Sequence, residues 1–499
     1  MISGRKAALL FALSCAAGCP NPDDTHGGTG GGSSSSTGAS GASGGNGGRG
    51  GEASTSTSMA SSVGGSGGAT QEGARWSDPI WAESFLGDSA SARALAVAPT
   101  GTSYVCATFD GVLTVDATTF SSAERALLFL AFDQAGALVV ARQIDAPGAN
   151  CAGLGVQPDG TVIAIGTFTG QLDFGGGALS ADGEDVFVAA FDAALAPTWS
   201  EQFGGAGDQR ALDAAVAADG SVILGGHYDG VLDFGAVALP ELVGASLPDG
   251  FVAKLDPIGA GLWATSIGGA LLDEVRAVAV DGQTGEIALA GRAYGTFAVA
   301  DGPPVTSDAS QDGFVARLTS DGGYVFDHRL AISPFEPCAV APTSDGGLVL
   351  GFAFGGEQAL GGVVLSAPGL EVDVAVARFD ASGEPVAARE LEARLPPGAL
   401  EPFPPEESVR ELFVDELGRI VLTGHDPAGL DFGGGPSERR GMFVAALTPE
   451  LEITSVELHT VFSSAFGVAV APRPGGGVVA FGDGWTDTQE VLLLAALSL

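Results

Sequence analysis

A chain of 499 residues with 79 Gly, 27 Pro, 45% hydrophobic residues and only 21 Lys and Arg suits many short strands between turns, not long amphipathic helices. Its formal net charge of -39 excludes a nucleic-acid partner, because phosphates require a basic surface. The acidity reads as solvation of an exposed surface, and with no Asp-x-Asp-x-Asp-Gly loop and no Cys-x-x-Cys pair, neither metal nor cofactor is expected.

The N-terminus carries Arg5 and Lys6, runs apolar from Ala7 to Ala17 and reaches Ala16-Ala17-Gly18-Cys19. This run is too short to span a bilayer and reads as a signal peptide over residues 1–18. Small residues directly before a cysteine resemble a bacterial lipobox, which implies cleavage before Cys19 and a lipid on its sulfur; ordinary secretion is the alternative. Pro20 and Asn21 follow with no Asp at the second position, which by the same resemblance implies the outer membrane or cell surface. Residues 19–75 are mostly Gly, Ser, Thr and Ala and form a flexible tether with an end-to-end distance of about 40 Å. Within it Gly41-Ala42-Ser43-Gly44-Gly45 matches Gly-x-Ser-x-Gly, yet a nucleophile elbow needs a strand before it and a helix after it.

From residue 76 to 499 the chain repeats itself. Each module is an apolar strand, a Pro-Asp-Gly-like turn, a second strand ending in Gly, a loop, and a third strand of the form Phe-Val-Ala-x-Leu-Asp. The turn glycine recurs at Gly101, Gly160, Gly220, Gly285, Gly346, Gly418 and Gly476. The third strand ends at Asp133, Asp192, Asp256, Thr319, Asp380, Thr448 and Ser498, giving the same seven units independently. A loop motif, Leu172-Asp173-Phe174-Gly175, returns at Leu232 to Gly235 and Leu430 to Gly433. Fourth strands follow, as at Leu138 to Gln143 and Thr198 to Phe203.

This pattern predicts an all-β, seven-bladed β-propeller with four strands per blade. First strands built from small residues, such as Ala277-Val278-Ala279-Val280, suit a crowded axis. The sequence stops after the third strand of unit seven, and Trp81 to Phe85 stands where an outer strand precedes each unit. The N-terminal strand is therefore expected to close the last blade and remove two sheet edges. The units resemble the β-propeller repeat of exported bacterial proteins called SBBP, best over Asp159 to Gly177 and Gly220 to Phe234 with the third strands that follow them. That resemblance implies an extracellular or surface propeller and carries no common reaction.

Cys106, Cys151 and Cys338 are an odd number of cysteines for an oxidising compartment; they are either buried thiols or include a Cys106–Cys151 bridge between neighbouring repeats. The residue after the glycine that closes each second strand forms a varied column: Thr108, Thr167, His227, Arg292, Phe352, His425 and Asp483. Variety on a constant scaffold marks a binding face at one mouth of the channel, with Tyr228 and Phe168 beside it as stacking surfaces. His227 and His425 sit nearly opposite each other, too far apart for a metal site; the alternatives are ligand contact or ordinary exposed histidines.

Arg93, Arg276 and Arg410 share a position at the start of the innermost strand, where guanidinium forks suit carboxylates or phosphates. The alternative pairs each with a local carboxylate such as Asp273, Glu274 or Glu407. The insertion between Leu391 and Ser408, with five prolines, is a solvated loop or a rim flap. No linear catalytic motif is present. The expected protein is a monomeric, lipid-anchored, non-enzymatic binding module for a protein, peptide or glycan; a hydrolase or lyase working at the mouth, or a structural envelope component, are the alternatives.

Overall fold

The computed structural model describes residues 79–239, 247–269, 271–306, 312–331, 335–367, 373–393, 408–426, 430–432, 441–459, 464–485 and 489–498. The signal peptide, Cys19, the tether and residues 394–407 of the proline-rich insertion lie outside them. The described residues form an all-β, propeller-like fold of antiparallel sheets with no helix.

The strand pairing repeats with the sequence. In unit two, Asn150–Val156, Val162–Asp173, Ala178–Phe191 and Pro197–Phe203 pair in chain order. Unit four does the same with Glu274–Val280, Ile287–Ala293, Asp312–Leu318 and Tyr324–Leu330. One long strand, Trp81–Val97, is the centre of a seven-stranded sheet: residues 81–87 pair with Glu490–Leu497 near the C-terminus, and residues 86–97 pair with Ser103–Val115.

The local chemistry of the turns explains why the modules were visible. All seven turn glycines hold φ between +72° and +101°, a region closed to most side chains. Six donate to the carbonyl three residues back, as Gly160 does to Gln157 at 2.9 Å; Gly285 reaches four back to Asp281 at 2.8 Å. The residues ending the third strands cap the next turn. Asp192 Oδ1 accepts from the amides of Ala194 and Ala196, both at 2.9 Å, and Asp256 and Asp380 repeat the arrangement. The Leu-Asp-Phe-Gly loop works alike: Asp173 accepts from Gly175, while Phe174 packs on Phe187 and Phe191. That motif is therefore a structural clip under the sheet.

The third strands are buried on both faces, from Asp249–Leu255 to Gly441–Leu447, so they read as unbroken apolar runs instead of alternating ones. Their side chains fill apolar seams between successive units. Phe85, Leu128 and Phe132 meet Phe481, Leu492 and Leu494 in the seam that joins the two ends of the chain. Closer to the axis, a Cβ on Gly155 would lie 2.2 Å from Cγ2 of Val216, which explains the small residues of the inner strands. Cys106 and Cys151 are joined by a disulfide, tying the second strand of unit one to the inner strand of unit two, so the buried-thiol alternative does not hold for them. The Cys338 side chain lies outside the described residues.

Candidate functional site

Every inner strand carries a β-bulge at the same height, where one extra residue breaks the pairing with the second strand. The extra residues include Arg93, Ala152, Leu212, Arg276, Arg410 and Val468. The three arginines thus share a structural position, as their alignment predicted, while Arg210 falls two residues before the bulge. The glycine opposite five of the seven bulges is a consequence. A Cβ on Gly166, Gly226 or Gly291 would come within 1.9 to 2.1 Å of the carbonyl oxygen of Asn150, Arg210 or Glu274. The vacant volume is filled from the third strand, because these glycines pair with Phe187, Phe251 and Phe314.

Unit five inverts this pair and corrects the column. Phe352 pairs with Ala375 in the slot of glycine and phenylalanine, so the residue equivalent to His227 is Ala353. A fully buried Phe352 thus supplies on the second strand the ring that its neighbours supply on the third. Two further expectations fail on burial. Tyr228 and Phe168 are enclosed, set edge-on against Phe251 and Phe187, and present no face for stacking. His425 is buried and His227 half-buried, so neither is an ordinary exposed histidine.

The structure brings His227, Arg292 and Arg276 together around a residue at the start of the unit-four inner strand, Glu274. Its carboxylate accepts from Arg292 Nε at 2.7 Å and Arg276 Nη1 at 3.1 Å, and its other oxygen lies 3.5 Å from His227 Nδ1. Burial pushes the Glu274 carboxyl up, but Arg276, Arg292 and His227 outweigh it and hold it at about 2. Burial also lowers His227 to about 4, against the pull of Glu274, so the imidazole is neutral near pH 7. Arg276 therefore takes the carboxylate-paired alternative, and Arg210 is likewise clasped by Glu184 at 2.8 and 3.0 Å. Beside this cluster, burial raises Asp273 to about 7 and Asp249 to about 6.

The other predicted residues lie in other units. Asp483 of unit seven is buried and accepts from the Ser91 hydroxyl at 2.8 Å and the Ala92 amide at 3.0 Å in unit one. Arg93 Nε donates to Thr108 at 3.2 Å. None of His227, Arg292, His425 and Asp483 lines the axial cavity.

That cavity, open on one side, measures about 980 Å³ between the inner strands, and Arg93, Arg276 and Arg410 are on its lining. Two carboxylates that the column did not include join them, Asp213 of unit three and Glu411 of unit six. Each follows its bulge directly, at a position where the other units have Ala94, Gly153, Ala277, Ala339 and Ala469. Asp213 accepts from the amides of Ala214 and Val278, both at 2.8 Å. Burial still raises it to about 7, and burial together with Asp213 lifts Glu411 well above the usual carboxylate range. The signal that would have found them is this exception to a small-residue rule.

No family model matches the chain, and no curated protein does. Solved structures similar to it include the polysaccharide lyase Uly1, at 14% identity over 83% of this chain and 90% of that one, TM-score 0.43. Another is an α-L-arabinanase from Penicillium chrysogenum, at 9% identity over 68% and 91%, TM-score 0.35. A third is the calcium-binding protein regucalcin from Agrobacterium tumefaciens, at 10% identity over 82% and 91%, TM-score 0.30. Likenesses at this level carry no argument about what this chain does.

Proposed function

We propose that this protein is an envelope-anchored, seven-bladed β-propeller that acts as a binding module, its ligand seated in the axial cavity. The carrying observation is the open-mouthed cavity of about 980 Å³ that collects three arginines and two carboxylates from different units. Its size is that of a small-molecule pocket, and convergent charged groups in a wall of Ala, Val and Leu fix a ligand's orientation. Support for seven closed blades comes from the seven recurring bulges and from residues 81–87 completing the sheet of Glu490–Leu497. SBBP-type kinship rests on the repeat motifs. Export rests on the N-terminal signal, with Cys19 as the lipid attachment and the outer membrane or cell surface as destination; the Cys106–Cys151 disulfide suits such an oxidising compartment.

Glycan and peptide arrays probed with the full-length protein test the binding reading. A ligand retained by the wild type and lost by Arg93→Gln/Arg410→Gln supports it; retention by that variant moves the site elsewhere, to the mouth of His227, Arg292 and His425. A second reading, a hydrolase or lyase, is favoured by one observation, the pair Asp213 and Glu411 on one cavity, since two carboxyl groups raised toward neutrality can supply an acid and, once one ionises, a base. Turnover of a glycoside or ester panel that disappears in Asp213→Asn would establish it. Incorporation of a clickable fatty acid, abolished by Cys19→Ala, tests the anchor.

A further inference from the structure

The lining of the cavity follows the inner strands from their bulges to the turns behind them, reaching Thr284, Ser344 and Glu416 in units four, five and six. Between those ends the wall is aliphatic, with Val97, Leu154, Val216, Val278, Val340 and Val468 on it. Charged side chains stand at both ends. At the bulge end, Arg93, Arg276 and Arg410 each already have partners in the protein, Thr108 for Arg93 and Glu274 for Arg276 among them. The two carboxyl groups on the same lining are engaged very unequally.

Asp213 and Glu411 share one register position, directly after the bulge, where the other five units have Ala or Gly. A carboxyl group is therefore no requirement of the fold there. Asp213 accepts from the Ala214 amide with one oxygen and from the Val278 amide of the next unit with the other, both at 2.8 Å. The Glu411 carboxyl has no hydrogen bond and no ion pair among the described residues, and its side chain is open to the cavity. No guanidinium offsets it: burial and the negative charge of Asp213 push it up, whereas Arg276 and Arg292 hold Glu274 down at about 2. An acid so placed is costly to ionise until a cation meets it.

Resting on the binding-module reading, we propose that the ligand of the cavity carries an aliphatic primary ammonium group, which Glu411 receives, with Asp213 adding a second acid to the same lining. An ammonium brings three donors and a full charge, so its bond to Glu411 is charge-assisted. Its alkyl stem lies against the Val and Ala wall, as the stem of a lysine does on an apolar surface. A hydroxyl in that place brings no charge to offset the carboxylate, and an anion is repelled by it. The turn end of the lining favours the same sign. Asp281 and Asp415 are paired there with Arg317 and Arg419, and Glu416 is exposed. The ammonium is one handle of the ligand, and the arginines occupy other positions on the lining.

The test is calorimetric titration of the full-length protein with three chains of equal carbon number: cadaverine, pentanediol and glutarate. Cadaverine is expected to bind one to one and at least about tenfold more tightly than the other two, the ratio that one charge-assisted hydrogen bond supplies. Glu411→Gln should weaken it by at least about tenfold. Glu411→Ala, which installs the residue of units one, four, five and seven, should do the same while melting like the wild type. Glu124→Gln, at an exposed position of unit one, should leave the affinity unchanged and so separates the site from general attraction to an acidic protein. A blocked lysine tripeptide distinguishes two sources of the group: tighter binding of the peptide points to a lysine side chain, tighter binding of cadaverine to a free amine, and either supports the site. Pentanediol or glutarate bound as tightly as cadaverine, or cadaverine affinity unchanged in both Glu411 variants, would overturn the proposal. If cadaverine does not bind while an array ligand is still lost from Arg93→Gln/Arg410→Gln, the ammonium assignment falls and the binding-module reading stands.

Discussion

Two seams between units place different chemistry in the same backbone slot. Between units three and four, His227 faces Glu274, and two buried guanidinium groups neutralise the carboxylate. Between units seven and one, the equivalent residues are Asp483 and Ser91, and one oxygen of the carboxylate accepts from a hydroxyl and a backbone amide. The first seam is an ion cluster that loses heavily if one member goes. The second includes hydrogen bonds from neutral donors, backed by the apolar contacts of Phe85, Phe132 and Phe481 where the chain ends meet. One scaffold thus tolerates either solution, because the bulge and its glycine fix the backbone and leave the side chains at that height to vary.

The largest expected effect falls on the second seam and comes from its strand, not its carboxylate. Deleting residues 79–87 strips Phe85 from the core and exposes the edge of Glu490–Leu497; the melting temperature should fall by at least about 10 °C. An unchanged melting curve would refute closure by this strand. Next, Glu274→Ala leaves Arg276 and Arg292 buried against each other and should cost about 3–5 kcal/mol in denaturant unfolding. Asp483→Ala, the matched change in the other seam, removes an acceptor from neutral donors and should cost only about 1–3 kcal/mol. If the two values coincide, the distinction between the seams collapses.

The smallest expected effect is in pH dependence, and it sets two adjacent residues against each other. Asp273, raised to about 7 by burial, favours the proton-bound folded state, so its contribution is full below about pH 4 and is lost as pH rises toward 7. Glu274, held at about 2, contributes above its unfolded value and loses that contribution only as pH falls through about 2. His227, lowered to about 4, contributes above about pH 6.5 and loses it as pH falls toward 4. Asp273→Asn should therefore flatten the part of the stability profile that declines between pH 4 and 7 and leave the steeply acidic limb in place. Thermal melts across that range read the difference directly.

Much of the scaffold was legible because its devices are local. A glycine at positive φ, an Asp capping its own turn and a strand buried on both faces each leave a short-range mark, so the modules, their boundaries and the shared position of the three arginines followed from residue order. The candidate site was legible only in part. His227, Arg276 and Arg292 do meet, yet the residue that gathers them, Glu274, entered only as one possible partner of an arginine. Tyr228 and Phe168 were placed beside an open face and are enclosed, because an alternating pattern cannot say which side of a strand meets the next sheet. Phe352 took the column position of Ala353, because a Gly–Phe pair and its inversion look alike until the strands are in register.

By itself, then, the sequence determined the repeat, the all-β class and where each unit turns, since these depend on backbone conformations that particular residues permit or forbid. Only the tertiary structure decided which carboxylates share the axis. Asp213 and Glu411 are distant in the chain and unmarked by any motif; packing the inner strands side by side sets both on the lining of one cavity, where their surroundings raise both carboxyl groups above the usual range.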